Sequence, residues 1–254
     1  MTPCRRDRIY IVGCGPGDVE LLTIKAYNLI TSAQILVYTG SLINPEILNL
    51  AKRAEEMLNS AGMSWREVLE VLVTGYNRGK LTVWAHDGDP TIYGGLWEVI
   101  LALREYGIPY EIVPGVSSVV ASAARLGIEL TVPYHSQSVI VARPHGATPL
   151  RGEERLSQLA RHRSTMAILL GAHVGETIKN ELLAGGFDSK SHAAVVYHAT
   201  WRDEKKFICQ LGELPLKLKE NGITRSATII VGPAVEAFLG MIKPASSKVY
   251  GGFR

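Results

Sequence analysis

Cysteine is scarce in this chain of 254 residues: Cys4, Cys14 and Cys209 lie far apart and form no CxxC pair. That spacing excludes a disulfide framework and argues against a cysteine zinc site. An excess of either charge is also missing, since 27 Lys and Arg against 24 Asp and Glu leave +3. No basic run is dense enough to follow a phosphate backbone, so nucleic acid is not an expected partner, whereas an anionic small molecule fits the balance. No apolar run reaches membrane-spanning length, and no membrane partner is expected. The basic residues 1–8 precede no signal-type apolar stretch, so the expected localisation is cytoplasmic. The seven histidines form no HExxH or other cluster, and no metal site is expected. A GK[ST] phosphate loop, a Gly-x-Ser-x-Gly elbow and a placeable Cys/His pair are all missing, which removes the common nucleophilic machinery. There are no repeats or low-complexity tracts.

What is present is alternation. With 46% hydrophobic and 20% charged residues, the composition is that of an ordinary globular chain. Residues 9–12 read as a strand, 20–31 as a helix and 35–38 as a strand. Helices are expected over 45–53 and 64–72, a strand over 81–85, a helix over 97–106 and a strand over 110–113. This order predicts a parallel sheet with right-handed crossovers. After a small-residue helix at 118–126 and an extended link at 129–134 the pattern changes. Strands are expected over 138–142, 166–170, 193–199, 205–210 and 227–231, with helices over 153–161, 174–184 and 214–221. The strands 193–199 and 205–210 read as a hairpin, so the second half is mixed rather than parallel. The expected divisions are 1–115, 116–242 and a tail at 243–254.

Four glycine-rich turns each follow a strand-like run. They are Gly13-Cys14-Gly15-Pro16-Gly17-Asp18, Tyr38-Thr39-Gly40-Ser41-Leu42, Asp87-Gly88-Asp89-Pro90 and Pro114-Gly115-Val116-Ser117-Ser118. In open α/β sheets, ligands bind at the carboxyl ends of strands. The first turn is not a dinucleotide fingerprint: its spacing is GxGPG, Pro16 lacks an N–H, and the second strand ends without a ribose-binding acid. Asp87 and Asp89 read either as turn-capping residues or as carboxylates facing a cationic ligand. Tyr93 reads as simple packing beside Ile92. A cleft rich in backbone groups and poor in acid–base residues suits methyl transfer from S-adenosylmethionine. There the substrates carry the reactivity and the protein supplies orientation.

Together these segments resemble the tetrapyrrole methylases of cobalamin and sirohaem biosynthesis. The resemblance runs from about residue 9 to about residue 239 and rests on three signatures in order: Gly13-x-Gly15-Pro16-Gly17-Asp18, Gly88-Asp89-Pro90-x-x-Tyr93-Gly94, and Val113-Pro114-Gly115-Val116-Ser117-Ser118. Tyr38-Thr39-Gly40-Ser41-Leu42, Val141-Ala142-Arg143-Pro144-His145-Gly146 and Ile223-Thr224-Arg225-Ser226-Ala227 are similar to the branch that methylates C11 of precorrin-4 or its cobalt form. The resemblance implies an N-terminal parallel α/β domain, a C-terminal mixed α/β domain and a cofactor cleft between them. It implies S-adenosylmethionine as cofactor, S-adenosylhomocysteine as product, a tetrapyrrole substrate and a homodimer.

Carried over position by position, it assigns Pro16, Asp87, Gly88, Asp89, Ile92 and Tyr93 to the cofactor. Ser117 and Ser118 match the small pair after Pro-Gly, and Ala227 and Thr228 would lie near the adenine. Leu170 stands where relatives often have methionine, and Ala199 where some have glycine. Asp18 and His86 are the candidates for a general base, if one is needed. Arg53, Arg78, Arg143, His145 and Arg225 are candidates for holding substrate carboxylates. The alternatives are a uroporphyrinogen III methylase, a methylase of another precorrin carbon or a diphthine-synthase-like protein. A non-enzymatic dinucleotide-binding module stands apart from these as a different class.

Overall fold

The structure is a computed structural model in which residues 5–146 and 148–244 are described. The chain forms two compact units, Met1–Ser118 and Val119–Arg254. In the first, β1 (Ile9–Gly13), β2 (Ile35–Tyr38), β3 (Glu56–Asn59), β4 (Thr82–His86) and β5 (Tyr110–Val113) form one sheet in the order β3-β2-β4-β1-β5. Every pairing in it is parallel. Helices α1 (Ile24–Ser32) and α2 (Pro45–Leu48) bury Ala26, Leu29, Ile30 and Ile47 on one face, against Tyr10, Val12, Val83 and Ala85. Helices α3 (Trp65–Asn77) and α4 (Trp97–Glu105) bury Leu72, Val99 and Leu103 on the other, against Ile9, Ile11 and Trp84. Because both faces are covered, β1 and β4 are buried at every position, which is why they read as unbroken apolar runs.

The second unit begins at Val119, the second residue of α5 (Ser118–Leu126). Its sheet contains β6 (Val139–Ala142), β7 (Thr165–Ile168), β8 (His192–Tyr197), β9 (Lys205–Gln210) and β10 (Ala227–Val231), in the order β6-β7-β10-β8-β9. Only β6 and β7 run parallel; the other pairs are antiparallel, and β8 and β9 form the expected hairpin. Helices α6 (Leu156–Leu159), α7 (Gly175–Ala184) and α8 (Leu214–Glu220) cover one face, with Leu156, Ile178, Leu182 and Leu218 in its core. Helices α5 and α9 (Pro233–Phe238) cover the other through Val119, Ala123 and Val235.

Several elements differ from the sequence reading. The helix expected over 20–31 is two pieces, a 3-10 turn at Val19–Leu21 capped by Asp18 and then α1, whose first turn Thr23 caps. Two polar caps five residues apart restart the chain twice. Strand β3 was not expected, because Glu56-Met57-Leu58-Asn59 has weak strand propensity; it exists through its register with β2, Ile35 opposite Glu56. Helix α3 continues five residues past 72, to Asn77. The segments 45–53 and 153–161 keep only short helical turns. Helix α9, opened by Pro233, was not anticipated. Of the expected tail, residues 245–254 lie outside the described residues.

The buried thiols have a chemical consequence. Burial pushes the Cys14 thiol up to about 12, helped by the nearby Asp87 charge, and burial raises Cys209 to about 11. Both should therefore resist a disulfide reagent at about pH 8 in the folded protein, because the reactive form is the thiolate. Titration with Ellman's reagent before and after denaturation should gain two thiols on unfolding; reaction of either in the folded state would contradict this packing.

Candidate functional site

The sheet order of the first unit singles out one strand end. Strands β1 and β2 are followed by α1 and α2 on one face, and β4 by α4 on the other. Strand β4 lies between β1 and β2. The chain leaving β4 therefore departs opposite to both neighbours, and a crevice at the carboxyl ends follows from topology. The segment that leaves β4 there is Asp87-Gly88-Asp89.

Three turns interlock at this end. The Gly15 N–H donates to the Gly88 carbonyl at 3.1 Å, and the Gly88 N–H donates back to the Gly15 carbonyl at 2.8 Å. Cys14 N–H donates to the His86 carbonyl at 2.7 Å. Pro16 sits between Gly15 at φ +69° and Gly17 at φ +152°, both in the region that favours glycine. Asp89 ties in the third turn: one carboxylate oxygen accepts the Gly115 N–H at 2.9 Å, and the other accepts the Thr91 N–H at 2.8 Å and the Thr91 hydroxyl. Gly88, at φ +54°, lies beneath Ser117 and Ser118, where a β-carbon would come 3.6 Å from the Ser118 nitrogen. Asp87, Gly88, Asp89, Ser117 and Ser118 are thus brought into one cluster. Ile92 and Tyr93 follow in the same loop, with Tyr93 at φ +56° and 45% exposed.

The carboxylates differ in their use. Asp18 caps its own turn, accepting the Glu20 N–H at 2.9 Å. Asp87 is solvent-facing and accepts a hydrogen bond from the Thr39 hydroxyl at 3.3 Å. Desolvation raises its pKa above the ordinary carboxylate value, and no ion pair to it forms among the described residues. An exposed carboxylate without an ion partner at the mouth of such a crevice favours a cationic or hydroxyl-bearing ligand. Thr39 was missed as a site residue because its role depends on the β2–β4 adjacency, which the sequence does not print.

His86 is placed differently. It lies on the Trp84 side of β4, 2% exposed, with its ring 4.3 Å from the Trp84 ring and no hydrogen-bond partner for Nε2. Burial lowers its pKa to about 4 from 6.5. The unfolded chain then binds a proton that the folded chain refuses. Stability is present in full above pH 6.5 and falls as the pH drops towards 4, by at most about 3 kcal/mol. His86→Leu should flatten that loss, read as the thermal midpoint against pH; an unchanged slope would overturn the assignment.

In the second unit, the sheet register gathers another group. Ala227 pairs with Tyr197, and Ile229 with Ile168. Leu170, two residues beyond β7, Ala199, two beyond β8, and Ala227, the first of β10, therefore share one end of the sheet, and Thr228 is the next residue inward, 2% exposed. At this end Leu170, His198, Thr200 and Ser226 all have positive φ, between +47° and +72°. Seven described non-glycine residues have positive φ, and four of them fall here; such strain clusters at ligand sites. Leu170 is also 57% exposed, an apolar side chain held outward. Among the suggested carboxylate-binding cations, Arg78 is paired with Glu56 at 2.6 Å, and Arg143 donates to the carbonyls of Pro144 and Thr148. Arg53, His145 and Arg225 are exposed. Among the described residues, no group of three or more His, Cys, Asp or Glu is placed to hold a metal ion, and no helix is long and apolar enough to cross a membrane.

The chain matches the tetrapyrrole (corrin/porphyrin) methylases over residues 8–215. It is 47% identical, over 89% of its length and 87% of the relative's, to a cobalt-precorrin-4 C(11)-methyltransferase of Methanocaldococcus jannaschii. Among solved structures, it is similar to a cobalt precorrin-4 methyltransferase of cobalamin biosynthesis, with TM-score 0.86 and 36% identity over 89% of this chain and 95% of that one. It is also similar to the uroporphyrin-III C-methyltransferase of Thermus thermophilus solved with S-adenosyl homocysteine, with TM-score 0.75 and 29% identity over 91% and 94%. The family match over residues 8–215 spans the interlocked glycine turns at the crevice, and the chain belongs to the tetrapyrrole (corrin/porphyrin) methylases.

Proposed function

We propose that this chain transfers a methyl group from S-adenosylmethionine to C11 of cobalt-precorrin-4 in cobalamin biosynthesis. The observation that carries the reading is the 47% identity to a cobalt-precorrin-4 C(11)-methyltransferase across nearly the full length of both chains. The cobalt belongs to the substrate ring. The site chemistry supports the reading: an exposed Asp87 carboxylate without an ion partner among the described residues fits a ligand bearing a sulfonium and an ammonium group.

In this reading Asp87, Gly88, Asp89, Ile92, Tyr93, Ser117 and Ser118 of the first unit hold the cofactor, with Pro16 at the edge. Leu170, Ala199, Ala227 and Thr228 do so in the second. Bound S-adenosylmethionine supplies an already activated methyl group. The chain's own part is alignment and exclusion of water. Asp87 balances positive charge, Asp89 fixes the loop that carries it, and exposed Leu170 and Tyr93 offer apolar contact. Arg53, His145 and Arg225 are the cations open to the substrate's peripheral carboxylates. His86 stays neutral in its apolar setting and Asp18 serves its turn, so neither is given a proton-transfer role.

The reading extends to a cytoplasmic homodimer. Free, buried Cys14 and Cys209 suit a reducing compartment, and Trp97 and Leu101, exposed one turn apart on α4, offer an apolar face to a second copy. Sedimentation equilibrium reads the assembly state. The decisive test is anaerobic incubation with S-adenosylmethionine and cobalt-precorrin-4, followed by mass spectrometry and carbon NMR. One added methyl at C11, with matching S-adenosylhomocysteine, is expected, and faster than with metal-free precorrin-4. No methyl gain despite tight S-adenosylhomocysteine binding would overturn the substrate assignment.

A further inference from the structure

The turn joining β8 and β9 is braced far more heavily than a hairpin of its length requires. The rings of Tyr197 and His198 stack at 3.8 Å with 18° between their planes. The rings of His198 and Trp201 stack at 4.4 Å with 23° between them. His198 Nδ1 lies 3.0 Å from each carboxylate oxygen of Asp203. Next to this pair, Glu204 accepts the Thr200 N–H and the Arg125 Nε–H, each at 2.7 Å. Burial works against the Glu204 charge, but Arg125 and the Thr200 N–H outweigh it and lower the pKa.

These braces surround strained backbone. His198 stands at φ +47° and Thr200 at φ +72°, conformations that are strained in residues other than glycine. Between them lies Ala199, 6% exposed, at the sheet end shared with Leu170 and Ala227. Such strain persists only where the surroundings over-determine it. Here the stacked rings and the His198–Asp203 hydrogen bond do so.

We propose that His198 and Asp203 form a positioning clasp, holding the His198–Thr200 turn, left-handed at its two ends, in the form in which Ala199 meets the S-adenosyl cofactor. The inference rests on the cofactor reading above. Neither residue need touch the reacting atoms. An Nδ1–H donates to Asp203 in both the neutral and the protonated imidazole, so the clasp holds in either state. Asparagine can place an amide donor near the same position and tolerates positive φ.

The test is calorimetric titration with S-adenosylhomocysteine, together with KM for S-adenosylmethionine and kcat. Asp203→Ala and His198→Ala should each weaken binding about tenfold, the equivalent of one lost charge-assisted hydrogen bond. KM should rise in step while kcat stays within about twofold, since the clasp orders the cofactor and not the reacting centre. The double variant should be no worse than either single one. His198→Asn should recover most of the affinity. The Asp203 side chain is 60% exposed, so Asp203→Ala folds and decides the matter even if His198→Ala does not. Wild-type affinity in Asp203→Ala, or losses that add in the double variant, would overturn the clasp alone. Failure of the wild-type protein to bind S-adenosylhomocysteine would overturn the cofactor reading as well.

Discussion

Gly115→Ala is expected to abolish measurable S-adenosylhomocysteine binding and to lower the thermal midpoint. A β-carbon at residue 115 would sit 2.2 Å from the Gly88 carbonyl oxygen and 2.8–2.9 Å from the carbon atoms of Gly13. All of these are backbone atoms, so no side chain can turn aside to make room. The turns after β1, β4 and β5 must separate. That separation strains the Asp89 carboxylate's hydrogen bond to the Gly115 N–H and the paired Gly15–Gly88 hydrogen bonds at once. Overpacking of this kind costs about 1–3 kcal/mol of stability. The loss of affinity should be larger, on the order of 100-fold or more, because a shift near 1 Å in positioning groups is enough to undo alignment. Gly107→Ala is the control. Gly107 has φ +65° at the end of α4, with open space around its β-position. It should cost about 1 kcal/mol of stability for the left-handed backbone and leave affinity unchanged. Calorimetry and thermal unfolding of both variants decide the point. A Gly115→Ala protein that binds as well as wild type would show that the interlocked turns are scaffold and nothing more.

The two halves of the molecule differed in how much the sequence revealed. Parallel strands covered on both faces need apolar residues throughout, so β1 and β4 announced themselves. Strand β3 did not, because an edge strand of four residues with alternate positions exposed is made by its neighbour's hydrogen bonds. The glycine turns were legible because close backbone approach admits no substitute, and Gly13, Gly88 and Gly115 meet as that logic requires. Thr39 and the His198–Asp203 pair were not legible as site residues. A threonine at a strand end and one histidine among seven carry no local mark. Their roles arise from the sheet order that sets Thr39 beside Asp87, and from a turn that folds His198 back on Asp203. Asp18 is a converse case: it stands out in the opening turn, and in the fold its carboxylate caps the turn that follows by accepting the Glu20 N–H.

Asp89→Asn should weaken S-adenosylhomocysteine binding by about 10- to 100-fold while leaving the fold in place. The carboxylate of Asp89 is used on both sides: one oxygen takes the Gly115 N–H, and the other takes the Thr91 N–H and hydroxyl. Asparagine matches its volume but can accept on one side only, since its NH2 is a donor. Whichever way the amide turns, one backbone N–H faces another donor. A lost bond to a charged acceptor costs about 1.5–3 kcal/mol, and a donor left facing a donor adds to it. The cost falls on the loop rather than on the core, because Asp89 joins two turns and packs in none of the apolar clusters of its unit. The thermal midpoint should therefore drop by only a few degrees while affinity falls steeply. Asp89→Glu is expected to do no better than asparagine, since the longer side chain keeps the charge but carries it past both donors. The two variants separate geometry from charge. If Asp89→Glu restores binding and Asp89→Asn does not, negative charge near the cofactor is what matters, and the bridging role assigned to Asp89 is wrong. If both lose affinity alike, it is the two-sided hydrogen bonding between the β4 and β5 turns that shapes the site.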